Sequence, residues 1–459
     1  MTGIGLGLGL HLGRTGIAGA SPYAPNNYVG MIGASSVAAG GDLDHLAALV
    51  SGTNVAGVQF WATMLSDGGL CWAGCSATGG YTVEQVYDEH WPIMRDATPK
   101  RGFVGFYAGT NDTDALAPSG TPSPAAIAAR IAFVSDFIDE ARANGQVPFV
   151  VAPQPNESSV EGIAAMPAWR LALIDLCAEK NAIFADVFAA LGDPDTGLWL
   201  DDTYTEDGDP TSLHIGPIGG PLAGQAIADA LMPHRNPNHN PRLVSAGDET
   251  DNWLWQGGRF ANDGNANGRP DGGGTGLATD AWGAASNDAA LSLEPGTGDI
   301  DGNWLVMTKT GSDTSSSASL TPTTAPGKVV FAEDDVLEVA YHMRDNVGSA
   351  LAGIGLKLYT VASGSTYAFY HRTIRASATI SDKIVWALHA APASTDYRFT
   401  YGIDVTGAGD TGDVGIAMLS LSAGAWDGTP VDPGVPTGAV LNSDGGPVLN
   451  SSGSYIIGA

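Results

Sequence analysis

The sequence predicts an α/β protein, a three-layer flavodoxin-like sandwich, followed by an all-β sandwich. Between about residues 28 and 235, short apolar runs alternate with helix-like stretches, the rhythm that builds a parallel sheet covered on both faces. Beyond about residue 243 helical periodicity gives way to strand-like runs set between Gly, Asp and Ser turns. The length of 459 residues exceeds what one core normally serves, and 63 Gly with 27 Pro demand many turns and long connections.

In chain order, NYVGMIG reads as the first strand and GDLDHLAALVSG as a helical return stopped by Gly52. VAGVQFWATML is expected to be the second strand, TVEQVYDEHWPIM a helix and RGFVGFY the third strand. PAAIAARIAFVSDFIDEARANG has the length and pattern of a long amphipathic helix. VPFVVAP is a fourth strand ended by Pro153, MPAWRLALIDLCAEKN a helix and AIFADVF a fifth strand. A loop from Ala189 to Leu213 then leads into GPIGGPLAGQAIADALM, whose later part is the last helix. Sites in such sheets form at the carboxyl ends of the strands.

HRNPNHNPR has the Pro and Asn density of a linker, placed at 236–242. VLEVAYHMR, GIGLKLYTVA, YAFYHRTIRASATI, KIVWALHAA and YRFTYGIDV follow, so residues 243–424 are assigned to an antiparallel β-sandwich. A Gly-rich segment, 1–27, precedes the α/β domain of 28–235. The tail, 425–459, repeats VLNSDG and VLNSSG, short strands ended by turn pairs with no core of their own. The N-terminus has an apolar stretch but no basic n-region, and Gly alternates through it, unlike a signal peptide. No segment reaches the roughly 20 apolar residues that span a bilayer.

With 49 acidic and 20 basic side chains the formal charge is -29, which repels phosphate backbones and anionic membranes and excludes nucleic acid as the expected partner. Three cysteines, Cys71, Cys75 and Cys177, make no disulfide framework. The CWAGC pair admits a short bridge in an exported protein and two free thiols in a reducing compartment, and no His stands at zinc-ligand spacing from it.

Three motifs fall at predicted strand ends. Gly33-Ala34-Ser35 follows the first strand, where a turn into a helix would present a hydroxyl. Gly109-Thr110-Asn111-Asp112 follows the third, and His214 stands ahead of the last helix. In this order they resemble the SGNH/GDSL hydrolases, whose serine, glycine, asparagine and histidine lie in successive blocks. GASS fills the first block with Ala34 in place of the usual Asp, Gly80 in GGYT fits the second and AGTNDT the third. The resemblance covers residues 28–235.

It implies a serine esterase with Ser35 as nucleophile and His214 as base, and the Ser35 and Gly80 N–H groups with the Asn111 amide as oxyanion donors. Ser36 is a rival nucleophile, since ASSVAAG fits the block in shifted register. The family's acid precedes the histidine by three residues, where this chain has Thr211. Asp209 is the expected substitute, with Asp207 or a Ser-His dyad as alternatives.

Asp263, Asn265, Asn267 and Asp271 with Gly268 resemble the start of a calcium loop without its terminal Glu, and a solvated Asx-rich turn is the preferred reading. No cofactor is expected, calcium at that turn being the one candidate. The second half carries Trp253, Trp255, Trp282, Trp304, Tyr367, Tyr370 and Trp386, mostly core, with some available to stack on sugar rings. His342, Arg344, Lys357, His371, Arg372 and Arg375 form a candidate basic stretch.

The expected function is deacylation, chiefly deacetylation, of a carbohydrate or polysaccharide ester, with the β-sandwich holding the glycan. The alternative is a spike or receptor-binding protein of a phage or phage-like particle that recognises host capsule through a weak or inactive SGNH domain, as the Gly-rich stub and repeated tail suggest. Either suits an extracellular or virion-associated protein, with homo-oligomerisation or attachment to a larger particle as candidate assemblies.

Overall fold

The computed structural model describes residues 23–38, 62–63, 65–66, 68–97, 100–205, 208–216, 218–239 and 289–309. It also describes 259–261, 266, 270, 411 and the strands within 315–423. The N-terminal segment, the tail and the candidate calcium-loop residues Asp263, Asn265, Asn267 and Asp271 lie outside these residues, as do Asp207, Trp253, Trp255, Trp282, Arg372 and Arg375. Among the described residues no helix is long and apolar enough to cross a membrane.

Five parallel strands form one half of a ten-stranded sheet: β1 (Tyr28–Gly33), β2 (Cys71–Ala77), β3 (Phe103–Tyr107), β4 (Val147–Val151) and β5 (Ile183–Ala185), in the order β5-β4-β3-β1-β2. β1 is buried along its whole length, as a strand covered on both faces must be. Its side chains divide between two cores. Val29 and Met31 join Phe103, Phe149, Val151 and Ile227 on one face, while Ile32 joins Val104, Phe106, Phe137 and Trp169 on the other.

The second core is covered by α5 (Pro124–Ala143) and α6 (Val160–Lys180), and the first by α7 (Val187–Leu191) and α8 (Gly219–Leu231). Shorter helices carry the turns between them: α1 (Ser35–Ala38), α2 (Val83–Gln85), α3 (Trp91–Asp96) and α4 (Thr113–Leu116). A π-helical turn, Val86–His90, joins α2 to α3. Helix starts follow capping chemistry: Ser123 accepts from the Ala126 N–H ahead of Pro124, and the Ser159 hydroxyl accepts from Gly162 N–H at 3.0 Å.

The second strand differs from the expected one. Ala62, Thr63 and Leu65, inside the run VAGVQFWATML, are helical, and the strand beside β1 is CWAGCSA at 71–77. A short continuous apolar run fits a buried helix as well as a buried strand, and small residues disguise the true strand as a loop. Cys71 and Cys75 therefore lie on one strand, and all three cysteines are buried thiols that form no disulfide.

From Ala289 onward every described regular element is an antiparallel strand apart from one parallel contact. β12 (Asp382–His389) pairs in parallel with the outer edge of β2 at Trp386 and Trp72. β9 (Val336–Asp345), β14 (Gly412–Ala423), β7 (Asn303–Lys309) and β6 (Ala289–Pro295) then continue the same sheet outward, in that order. A second, four-stranded sheet has the order β11-β10-β13-β8, comprising β8 (Ser315–Ser319), β10 (Leu351–Thr360), β11 (Thr366–His371) and β13 (Tyr397–Val405). β13 also lies against β7 and β14.

The sheet is thus continuous across the composition boundary at 236–242, and residues 24–429 form one compact unit. The described part of the expected linker is packed rather than free. Asn236 and His239 are buried, Asn236 N–H donates to Asn27 Oδ1, and Asn27 Nδ2 returns bonds to the Asn236 and His239 carbonyls. His239 Nδ1 accepts from the Asn27 N–H at 2.8 Å, so its proton sits on Nε2, facing the fully buried Glu338 carboxylate of β9. The Tyr28 hydroxyl donates to the same carboxylate oxygen at 2.8 Å, and burial beside Glu338 holds that phenol in its protonated form.

In the second half, Trp304 is buried and Arg344 stacks over its ring, 4.6 Å from the centroid, while bonding Glu294. Those two members of the aromatic and basic sets are committed within the fold.

Candidate active site

Gly33 ends β1, and its backbone must come close to two neighbours. A Cβ there would stand 2.5 Å from the Tyr107 carbonyl oxygen and 2.5 Å from Val37 Cγ2, so only glycine permits the tight turn into α1. Ser35 is the first residue of that helix and is half-buried. Among the described residues nothing hydrogen-bonds its hydroxyl.

Ser36, one residue on, has a different environment. Its Oγ accepts from Gln154 Nε2 at 2.9 Å and also reaches the buried Tyr107 hydroxyl, which in turn donates to Gln154 Oε1. Burial pushes the Tyr107 phenol well up, so it keeps its proton. The second proton of Gln154 Nε2 goes to the Leu213 carbonyl at 2.5 Å, immediately before His214. A carbonyl can only accept, which fixes the amide orientation. One nitrogen therefore joins the residue after Ser35 to the residue before His214.

The loop after β2 closes against this turn. Thr78 N–H donates to the Gly33 carbonyl, and a Cβ on Gly79 would lie 3.8 Å from Ser35 Cβ. Gly80 follows with φ +82 and open space around its Cβ position, so Gly79 is the glycine packed against Ser35. The doubled glycine of GGYT was the available signal for it.

Asn111 comes to the same loop from β3: its Nδ2 donates to the Tyr81 carbonyl at 2.9 Å, leaving the second amide proton for another acceptor. Gly109 permits the turn that carries it, with φ +126 and a Cβ position only 2.3 Å from Trp169 Nε1. Asp112 does not cap the helix that follows it. Its buried carboxylate accepts from Val83 N–H at 2.9 Å and from Arg130 Nε at 3.1 Å, which ties the asparagine block to the start of α2.

His214 is half-buried, in the turn before the isolated bridge between Ile215 and Thr205. Asp209 lies exposed in an Asx turn, its Oδ1 accepting from Thr211 N–H at 2.9 Å and Thr211 Oγ1 at 2.8 Å, contacts that lower its pKa. The turn shapes the approach to His214.

Gln154 belongs to a segment, Gln154-Pro155-Asn156-Glu157, that no sequence pattern singled out. The buried Asn156 donates to the Thr110 carbonyl at 3.3 Å, and Glu157 accepts from Trp199 N–H. One short loop after β4 thus reaches the serine turn, the asparagine block and the approach to the histidine. Among the described residues no cluster of three or more His, Cys, Asp or Glu side chains is placed to hold a metal ion.

No family model and no curated protein matches the sequence. Solved structures similar to part of the chain include a protein assigned to the G-D-S-L family from Desulfitobacterium hafniense DCB-2. It is 17% identical with a TM-score of 0.34, the match covering 45% of this chain and 100% of that one. An acetylxylan esterase from Geobacillus stearothermophilus is 15% identical with a TM-score of 0.33, over 46% of this chain and 96% of its own.

Proposed function

We propose that residues 28–235 are a serine ester hydrolase of the SGNH type, with Ser35 as nucleophile and His214 as base. The observation that carries the reading is the Gln154 amide bridge, which brings the segments bearing Ser35 and His214 together at the carboxyl ends of the parallel strands. Ser35 is preferred to Ser36 because the Ser36 hydroxyl is engaged by Gln154 and Tyr107, whereas a nucleophile needs a hydroxyl free to turn toward base and substrate.

In the first half-reaction Ser35 Oγ attacks the acyl carbonyl carbon as His214 takes its proton. The charge that develops on the carbonyl oxygen meets the Ser35 N–H, a glycine N–H from the 79–80 turn and the unspent Asn111 amide proton. Collapse breaks the ester C–O bond, and the proton on His214 passes to the departing alcohol. Water, deprotonated by His214, then releases the acid and restores Ser35.

The substrate we assign is a small acyl ester, chiefly acetyl, on a carbohydrate, with the antiparallel half of the molecule as the glycan-holding part. Turnover of p-nitrophenyl acetate and of acetylated polysaccharide tests both levels. Ser35→Ala is expected to lower turnover by several orders of magnitude, on the order of 10⁴-fold or more, and Ser36→Ala by far less. Full activity in Ser35→Ala, or loss confined to Ser36→Ala, would overturn the nucleophile assignment. Turnover of the small ester alone would remove the carbohydrate assignment and keep the esterase.

A further inference from the structure

We infer that Gln154 is a positioning residue for this site, an amide that sets the distance between the serine turn and the histidine loop; the inference rests on the serine-hydrolase reading above. Gln154 is buried with 1% exposure, and its three bonds use each part of the amide in a way few side chains can. Both Nε2 protons are spent, one on Ser36 Oγ and one on the Leu213 carbonyl, and Oε1 accepts from Tyr107. With Ser36 reaching back to Tyr107 the three side chains close a ring, and the Leu213 bond hangs the histidine loop from it.

The chemistry explains the residue type. Leu213 presents a carbonyl, which must receive a proton, and Tyr107 presents a phenol that burial keeps protonated, which must give one. A side chain between them has to donate and accept at once. A carboxylate would face the Leu213 carbonyl with a second negative dipole in a buried space, and an apolar side chain of similar size would take the Gln154 bond from the Leu213 carbonyl, Ser36 and Tyr107 alike. The two ends of the bridge are neighbours of the reacting residues and not the residues themselves, so Gln154 acts on their separation. An error of about 1 Å in such a separation costs about 100-fold in rate.

The test compares wild type, Gln154→Leu, Gln154→Glu, Tyr107→Phe and Ser35→Ala, with p-nitrophenyl acetate as substrate and the thermal midpoint measured for each. Gln154→Leu is expected to lower kcat about 10- to 100-fold with KM within about twofold. The carboxyl introduced by Gln154→Glu donates one proton when neutral and none when ionised. Its activity relative to wild type is therefore expected to fall as pH rises through the carboxyl's burial-raised pKa. Should Gln154→Leu fail to fold, Tyr107→Phe deletes both ring contacts of the phenol and leaves the Leu213 bond in place, and is expected to show a smaller fall in kcat at unchanged KM.

Ser35-dependent turnover with kcat unchanged in both Gln154→Leu and Tyr107→Phe would overturn the inference and leave the esterase standing. So would an activity ratio for Gln154→Glu that does not move with pH while the thermal midpoint drops, since that is a packing role only. Wild-type protein without Ser35-dependent turnover removes the esterase reading and this inference with it.

Discussion

His90 sits in the π-helical turn between α2 and α3, its Nδ1 2.9 Å from Ser76 Oγ and its Nε2 buried without a hydrogen-bond partner among the described residues. Burial lowers its pKa from the usual histidine value. The unfolded chain then takes up a proton before the folded one does, so this group's contribution to stability is present above about pH 6.5 and is lost as pH falls through the window below it. Urea unfolding of wild type between pH 7.5 and 5 should show that loss, and His90→Gln should flatten it; parallel pH profiles would rule the account out. At the site, Asn111→Ala is expected to lower kcat about 100- to 1,000-fold, as removal of one oxyanion donor does, with the fold retained. Asp209→Asn tests the acid. A rate lowered by orders of magnitude would assign the role to Asp209 and not merely to the turn it shapes, whereas an unchanged rate directs attention to Asp207 or a dyad. The candidate blocks could be read from the chain because Ser35, Asn111 and His214 each follow a recognisable strand or precede a recognisable helix. Gln154 could not, because a single glutamine after a strand has no spacing to betray it, and its meaning lies in contacts to residues 118 and 59 positions away.

The β1–α1 turn is the element on which most of the site depends. Gly33→Ala would drive a methyl into the backbone oxygen of Tyr107, which is held in β3 and cannot retreat as a side-chain tip would. We expect a loss of about 1–3 kcal/mol, measured as a lower urea midpoint, together with reduced turnover because Ser35 and Ser36 move with the turn. Strands β1, β3 and β4 are legible because burial on both faces leaves continuous apolar runs, and the partly buried edge strand β5 because Ile183-Phe184-Ala185 is itself apolar. β2 is hidden in the sequence for the same physical reason in reverse: CWAGCSA is also buried, but small residues fill the space and give little hydrophobic signal. Five of the antiparallel strands were legible from alternation. That β12 docks onto β2 was not, since a single register pair, Trp386 with Trp72, leaves no local trace in sequence.

Residues 24–429 are organised around one sheet that serves both the α/β and the antiparallel part, with Glu338 buried beneath the junction between Tyr28 and His239. A chain truncated after residue 240 would keep the candidate site and lose both β12 and Glu338. It is expected to unfold at lower temperature than the full chain and to associate through the bared edge of β2, read by light scattering. Equal thermal midpoints and a monodisperse fragment would show that the shared sheet contributes nothing to the α/β half. The pairing also has a consequence for synthesis. β2 is made early, but its partner lies roughly 300 residues downstream, so at about 5–20 residues per second the ribosome needs tens of seconds to deliver it. Throughout that interval the nascent α/β layer carries an open strand edge, and its yield in a cell should depend on what shields that edge until the last third of the chain emerges.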